Sequence, residues 1–374
     1  MVVRLKVKFL TSIDQVDQLT AEEKEKIREI TDRYIFRAND YYLSLIDWDD
    51  PNDPIRRIII PSEGELAEYG RWDASNESVN YVAPGCQHKY EKTALLVVSE
   101  VCGAYCRFCF RKRLFNTDHE DEVNVNPQPG IDYIRQHPEI SNVLLTGGDS
   151  LMLSTKRLRN IIEQLRSIDH VKIIRLGSKL PAFYPMRIYG DEELLDLFRT
   201  YSTPEKRIYV MAHFNHPKEI TQEAIRGIEA LINSGVMVMN QTPVLRTIND
   251  DPDVLAELME KLSQIGVHPY YFFINRPVAG NNDFVLPLKD VYRIVEEAKA
   301  KVAGLAKRVR LSMSHASGKI EILAIEDGKA YLKYHQSRDG NYGKFMVLDC
   351  PDDAAWFDDL PGSEKYWKKE VATV

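Results

Sequence analysis

Three thiols fall within eight residues, Cys102, Cys106 and Cys109, in the spacing C-x3-C-x2-C, and the cations Arg111, Lys112 and Arg113 follow at once. Thiolates so close together bind soft metals. A structural zinc site takes four ligands, usually as two close pairs, and here Cys86 and Cys350 stand alone in the sequence. Three thiolates can instead hold three irons of a 4Fe–4S cubane and leave the fourth iron open to a substrate. The bland alternative is three apolar cysteines buried for packing.

Those thiols need elements to hold them, and the chain around them reads as α/β. Six short apolar or β-branched runs, at 94–100, 142–146, 172–177, 207–213, 236–241 and 268–274, alternate with helical periodicity, the rhythm of repeated βα units. Several are continuous apolar runs, as in a parallel sheet covered on both faces. Ser154 and Thr221 stand where helix N-caps belong, and Gly235 and Gly266 where helices end. Six such units make a partial (β/α)6, TIM-like barrel, whose active groups gather at the C-terminal strand ends. The cysteines follow the first strand, on its βα loop.

Residues 1–90 read as a helical and irregular N-terminal extension, residues 91–305 as the barrel and residues 306–374 as a C-terminal segment. Thr20-Ala-Glu-Glu23 is a capping box, predicting a helix of roughly 15–18 residues. Asp327-Gly328, between two alternating runs, predicts a β-hairpin.

The formal net charge of −7 argues against nucleic acid or an anionic membrane surface as partner. No run of about 18 apolar residues predicts a membrane-spanning helix, and MVVRLKVKFL at the start lacks the features of a secretion signal. Five cysteines, three of them clustered, fit a reducing, cytoplasmic compartment better than a disulfide framework.

The cysteine motif after a strand resembles that of the radical SAM superfamily, whose fold is a partial (β/α)6 barrel. The resemblance implies that the open iron chelates the amino and carboxylate groups of S-adenosylmethionine, and that reduction cleaves the sulfonium to a 5′-deoxyadenosyl radical. It also implies a glycine-rich end to the second strand near the methionyl amino group, matched by Gly147, Gly148 and Asp149. Glycines let a ligand approach the backbone, and Asp149 can accept from an ammonium, although a plain β-turn has the same sequence. Asn240 and Gln241 end the fifth strand and would face S-adenosylmethionine, or serve as buried structural amides. His213 and His216 flank Asn215, but no third ligand for a metal lies nearby.

The similarity narrows to the lysine 2,3-aminomutase family. CRFCFRKR resembles its C-R-H-C-T-R-R-R, and LLTGGDSL, IIRLGSKLP, Asn215-His216-Pro217, Asn240-Gln241, Val244-Leu245-Arg246 and Asn249-Asp250 follow in the family's order. Upstream, Ala83-Pro-Gly and His88-Lys89-Tyr90 fit as well. The implied activity is radical SAM, pyridoxal-phosphate-dependent migration of an α-amino group to Cβ of a small amino acid. A flavodoxin- or ferredoxin-type electron donor and a homo-oligomer are implied with it, His216 joins the cofactor-binding set, and the cofactor lysine falls at Lys319 in Ser314-His-Ala-Ser-Gly318-Lys319. Lys89 and Tyr90 match positions near the cofactor, and Arg187 is a candidate for its phosphate. A solvated lysine beside a turn and an arginine in a surface ion pair would look the same. The chain departs from the family at Thr93, where an arginine is expected, and in the Ser, His and Ala that replace most glycines before Lys319.

Arg111 matches the arginine that clamps the substrate α-carboxylate, a bidentate task suited to a guanidinium. A solvated basic loop is the alternative. Family members acting on lysine hold its distant ammonium with two carboxylates, and the matching positions here are Arg276 and Ser312. An arginine facing an ammonium is a like-charge contact. The expected substrate is therefore acidic or neutral polar, glutamate first. The alternatives are pairing of Arg276 with an acid such as Asp283, lysine 2,3-aminomutase activity, or a radical SAM dehydratase or epimerase on the same scaffold.

Overall fold

A computed structural model describes residues 6–115 and 126–367; residues 1–5 of the opening segment lie outside it. Two short strands, β1 (Phe9–Leu10) and β2 (Ala38–Asn39), pair in the N-terminal extension. Then come β3 (Tyr81–Ala83), β4 (Cys86–Tyr90), β5 (Thr93–Ser99), β6 (Asn142–Gly147), β7 (Ile173–Ser178) and β8 (Ile208–Ala212). β9 (Met237–Val244), β10 (His268–Ile274), β11 (Arg310–His315), β12 (Gly318–Glu326), β13 (Lys329–Ser337) and β14 (Phe345–Asp349) complete the set.

β3 to β14 form one sheet in chain order. From β5 to β11 every neighbour is parallel, and antiparallel pairs extend both ends. All six expected strands are present, β5 to β10, each within a few residues of its expected bounds. The edges β3 and β14 are not paired to each other, so the barrel is partial. Its open side is bridged by side chains: Ser75 Oγ donates to the Ser314 carbonyl, and Lys89 Nζ to the His315 carbonyl.

The outer face of the parallel strands packs on the helices. Val143, Leu145, Ile174 and Leu176 are fully buried in one cluster with Leu158, Ile161 and Ile162 of the helix Thr155–Arg166. Ser154 and Thr221 cap helices as expected, and Gly235 and Gly266 take positive φ after them. A second cluster joins β10 to β14 with the helices Pro252–Gln264 and Leu288–Ala300. The hairpin at Asp327-Gly328 forms as expected. No helix among the described residues is long and apolar enough to cross a membrane.

Two features of the extension differ from expectation. The helix after Thr20 runs only Ala21–Arg33, because Tyr34 turns extended and buries its ring. The region also supplies β3 and β4 to the main sheet, although CQHKY carries little β signature.

The extension holds the cysteine loop. Its core cluster includes Ala104 and Phe108 of that loop. Arg107, between two of the thiols, is 2% exposed and meets Glu65 in a two-pronged pair, at 2.9 and 2.8 Å. Lys112 adds a 3.3 Å contact to the same carboxylate. Substituting Glu65→Ala would leave both cations buried without their anion and should lower the unfolding free energy by about 3–5 kcal/mol. Urea denaturation of the cluster-free protein measures this, and a loss below about 1 kcal/mol would contradict the clamp.

Candidate active site

A cavity of about 330 Å³ opens at the C-terminal strand ends. Cys102, Cys106 and Cys109 all line it. The three are free thiols, and one protein contact to them is an N–H from Arg111 to Cys109 Sγ at 3.4 Å. Burial pushes Cys106 up to about 12 and raises the other two, so the thiolate form calls for a strong positive partner. Among the described residues no three His, Cys, Asp or Glu side chains are gathered tightly enough for one metal ion. All three thiols line this one cavity, where they would hold three irons of a cubane cluster.

Beside them the end of β6 comes close to the cysteine loop. A Cβ at Gly147, whose φ is +120°, would lie 2.5 Å from the Ser99 carbonyl oxygen. One at Gly148 would lie 2.6 Å from the Val101 carbonyl oxygen. Only glycine permits this approach. Asp149 lines the cavity, but its role differs from the expected ammonium acceptor. Its oxygens accept from Leu151 N–H, Ser178 Oγ, Lys179 N–H and Leu180 N–H, at 2.7–3.2 Å. Its acceptor capacity is used in pinning two βα loops.

Gln241 lines the cavity, but its neighbour Asn240 does not share it. Asn240 is locked to both backbone groups of Phe214. His216 also turns away, its Nδ1 accepting from Lys218 N–H at 3.1 Å as the cap of a short helix. His213 is the histidine on the wall, and its buried Nε2 has no hydrogen-bond partner among the described residues. An orphaned donor or acceptor beside the thiols is what a bound polar cofactor would satisfy.

Lys319 lines the cavity from β12. Its Nζ lies 4.1 Å from the Tyr271 ring centroid and 5.3 Å from that of Phe273. Burial, with Arg175, Arg276 and Lys89 nearby, lowers it to about 7. A neutral amine at ordinary pH can attack a carbonyl, and a flat aromatic wall suits a pyridine ring. Lys89 and Tyr90 line the same cavity, and burial with Arg276 lowers Lys89 to about 7. Arg187 is a correction: it lies outside the cavity lining, pairing with Asp191 at 2.6 Å and with the Leu153 carbonyl. Arg175, overlooked in the sequence as a strand residue, lines the cavity with Nε held by Asn142.

The most informative residue missed in the sequence is Glu77, in a segment read as irregular. It meets Arg111 at 3.1 Å, Arg276 at 3.3 Å and Arg113 at 3.4 Å. Burial opposes its ionisation, but the three guanidiniums outweigh burial and hold the carboxyl well below the usual carboxylate range. Arg111 and Arg276 both line the cavity. Arg276 thus pairs internally with Glu77 and not with Asp283, which binds Arg57 and Ser62. Ser312 is fully buried on β11, outside the cavity lining, and its Oγ has no hydrogen-bond partner among the described residues.

Comparison with known proteins follows from this geometry. An Aquifex aeolicus (strain VF5) protein provisionally named L-lysine 2,3-aminomutase is 49% identical over 371 residues, covering 99% of each chain. The L-lysine 2,3-aminomutase of Clostridium subterminale is 36% identical over 304 residues, 81% of this chain and 72% of that protein. The glutamate 2,3-aminomutase of Clostridioides difficile (strain 630) is also 36% identical, over 302 residues, 79% of this chain and 70% of that protein. Identity alone does not separate the last two. No protein-family model matches the chain.

The lowered Lys319 gives a signed pH expectation. Below about 7 the amine is protonated and unreactive; above it the amine is free. Borohydride trapping of pyridoxal 5′-phosphate on Lys319 should therefore rise with pH through about 7 and then level off, whereas exposed lysines continue to gain up to about 10. Peptide mass analysis reads this out, and labelling of Lys319 that begins only near pH 10 would contradict the burial effect.

Proposed function

The chain belongs to the lysine 2,3-aminomutase family of radical SAM isomerases, and from that premise we propose that its substrate is an acidic amino acid, glutamate first. One observation carries the reading. Among the described residues the cavity wall bears the guanidiniums of Arg111, Arg175 and Arg276 and the amines of Lys89, Lys179 and Lys319, Lys179 being paired with Glu219, against two carboxylates, Glu77 and Asp149. Both carboxylates are already engaged, Glu77 by three guanidiniums and Asp149 by four donors. Among the described residues no acid remains on the wall for the side-chain ammonium of lysine, and a bare cation there would face Arg276. An amino acid with a second carboxylate meets the surplus positive charge instead.

The residues divide the work as follows. Cys102, Cys106 and Cys109 would hold the cluster, and Gly147 and Gly148 let the end of β6 pack on the cysteine loop, beside which S-adenosylmethionine would sit. Lys319 would carry pyridoxal phosphate, with Lys89 and Arg175 available to its phosphate. When bound, these groups supply a hydrogen-abstracting radical and a π-system across which the nitrogen passes. Arg111, steadied by Glu77 and by Thr146 at 2.8 Å, would clamp the α-carboxylate. Arg276, on the same Glu77, would take the distal carboxylate. One acid between two clamps fixes their separation and so favours one substrate length.

The test is product analysis after anaerobic reconstitution with a panel of amino acids. L-Glutamate should be converted to its β-isomer and L-lysine left unchanged. Arg276→Gln should lower kcat/KM for glutamate by about a hundredfold and leave reductive cleavage of S-adenosylmethionine intact. Turnover of lysine with glutamate ignored would overturn the proposal.

A further inference from the structure

The turn that presents Lys319 is held by side chains to which no role has yet been given. β11 and β12 meet at Ala316-Ser317, in a register that places Ser314 opposite Lys319 and His315 opposite Gly318. The Ser317 backbone N–H donates to His315 Nδ1 at 3.1 Å. In the neutral ring Nδ1 is then the acceptor, and the proton sits on Nε2. That Nε2 lies 3.2 Å from Asp358 Oδ1. Ser317 Oγ lies 2.8 Å from His315 Nδ1 and 2.8 Å from the Tyr334 hydroxyl. A continuous chain therefore runs Asp358, His315, Ser317, Tyr334.

His315 and Ser317 are 1% and 3% exposed, so a broken link would leave polar atoms without solvent. Asp358 belongs to the short helix Phe357–Asp359 of the C-terminal segment, where Trp367 Nε1 also donates to it at 3.0 Å. The order Asp, His, Ser has the form of a hydrolytic triad, but Ser317 is outside the cavity lining and packs on Tyr334, so no acyl group reaches it. What the chain does reach is the lysines. Gly318 and Lys319 directly follow Ser317, and the His315 carbonyl accepts from Lys89. The turn has no slack at Gly318, where a Cβ would lie 2.2 Å from the Gln336 carbonyl oxygen.

We propose that Asp358 is a positioning residue for Lys319: through His315 and Ser317, the C-terminal segment sets the turn that aims the lysine into the cavity. The inference rests on the reading that Lys319 holds pyridoxal phosphate. Side-chain hydrogen bonds order the turn beside the close-packed Gly318, and they tie it to a segment remote in sequence.

The experiment follows the time course of pyridoxal 5′-phosphate capture at Lys319 in full-length, cluster-reconstituted protein, trapped with borohydride and read by peptide mass. Asp358→Ala should slow capture about tenfold while reductive cleavage of S-adenosylmethionine stays at the wild-type level and the melting temperature falls by only a few degrees. Asp358→Asn keeps an acceptor oxygen for Nε2–H and should stay within about twofold of wild type. Ser317→Ala removes one hydroxyl and should act in the same direction as Asp358→Ala; it carries the test if the latter melts early. Wild-type capture rates in both Asp358→Ala and Ser317→Ala would overturn the inference, as would a loss shared equally by capture, melting and S-adenosylmethionine cleavage. A wild-type protein never labelled at Lys319 would instead overturn the cofactor reading beneath it.

Discussion

A loop that carries three thiols among four cations can be buried only if carboxylates come to meet it. Arg107, Arg111, Lys112 and Arg113 are each at most 7% exposed, and two acids, Glu65 and Glu77, each pair with two of them. Burying a charge without its partner costs several kcal/mol, so this pairing is a condition for the loop to exist in its place. Both acids come from the segment ahead of the barrel. The N-terminal extension is thus part of the site: without it the βα loop after β5 would carry its cations into solvent and its thiols with them.

The same electrostatics shape the cavity. Glu77 serves the cysteine loop through Arg113 and the cavity through Arg111 and Arg276. One residue therefore couples the placement of the cysteine loop to that of two cavity arginines. The remaining cations crowd each other under burial, which keeps Lys89 and Lys319 near neutrality. Burial, with these cations nearby, leaves the Lys319 amine easily deprotonated.

Much of the fold was legible because its signals are local. Strand runs, the Ser154 and Thr221 caps, the glycines after helices and the Asp-Gly hairpin each depend on a few neighbouring residues, and each formed where its chemistry requires. Candidate side chains were harder to read. Asn240 and Gln241 are adjacent, yet strand alternation sends one to the Phe214 backbone and the other to the cavity. His216 spends its ring on capping, whereas His213, three residues earlier, reaches the wall. Arg187 found an acid one helical turn away, at Asp191. In each case the residue type suited the chemistry, and a nearer partner decided the outcome.

The sequence by itself determined the cysteine spacing, the βα rhythm and the family, because each is written in residues close along the chain or in ordered motifs. Only the tertiary structure decided which charges are committed and which remain free. Glu77 with Arg276, Glu65 with Arg107 and Asp358 with His315 lie 199, 42 and 43 residues apart. Such partners are chosen by burial and geometry once the barrel has formed, since an ion pair or hydrogen bond across that separation has no local signature.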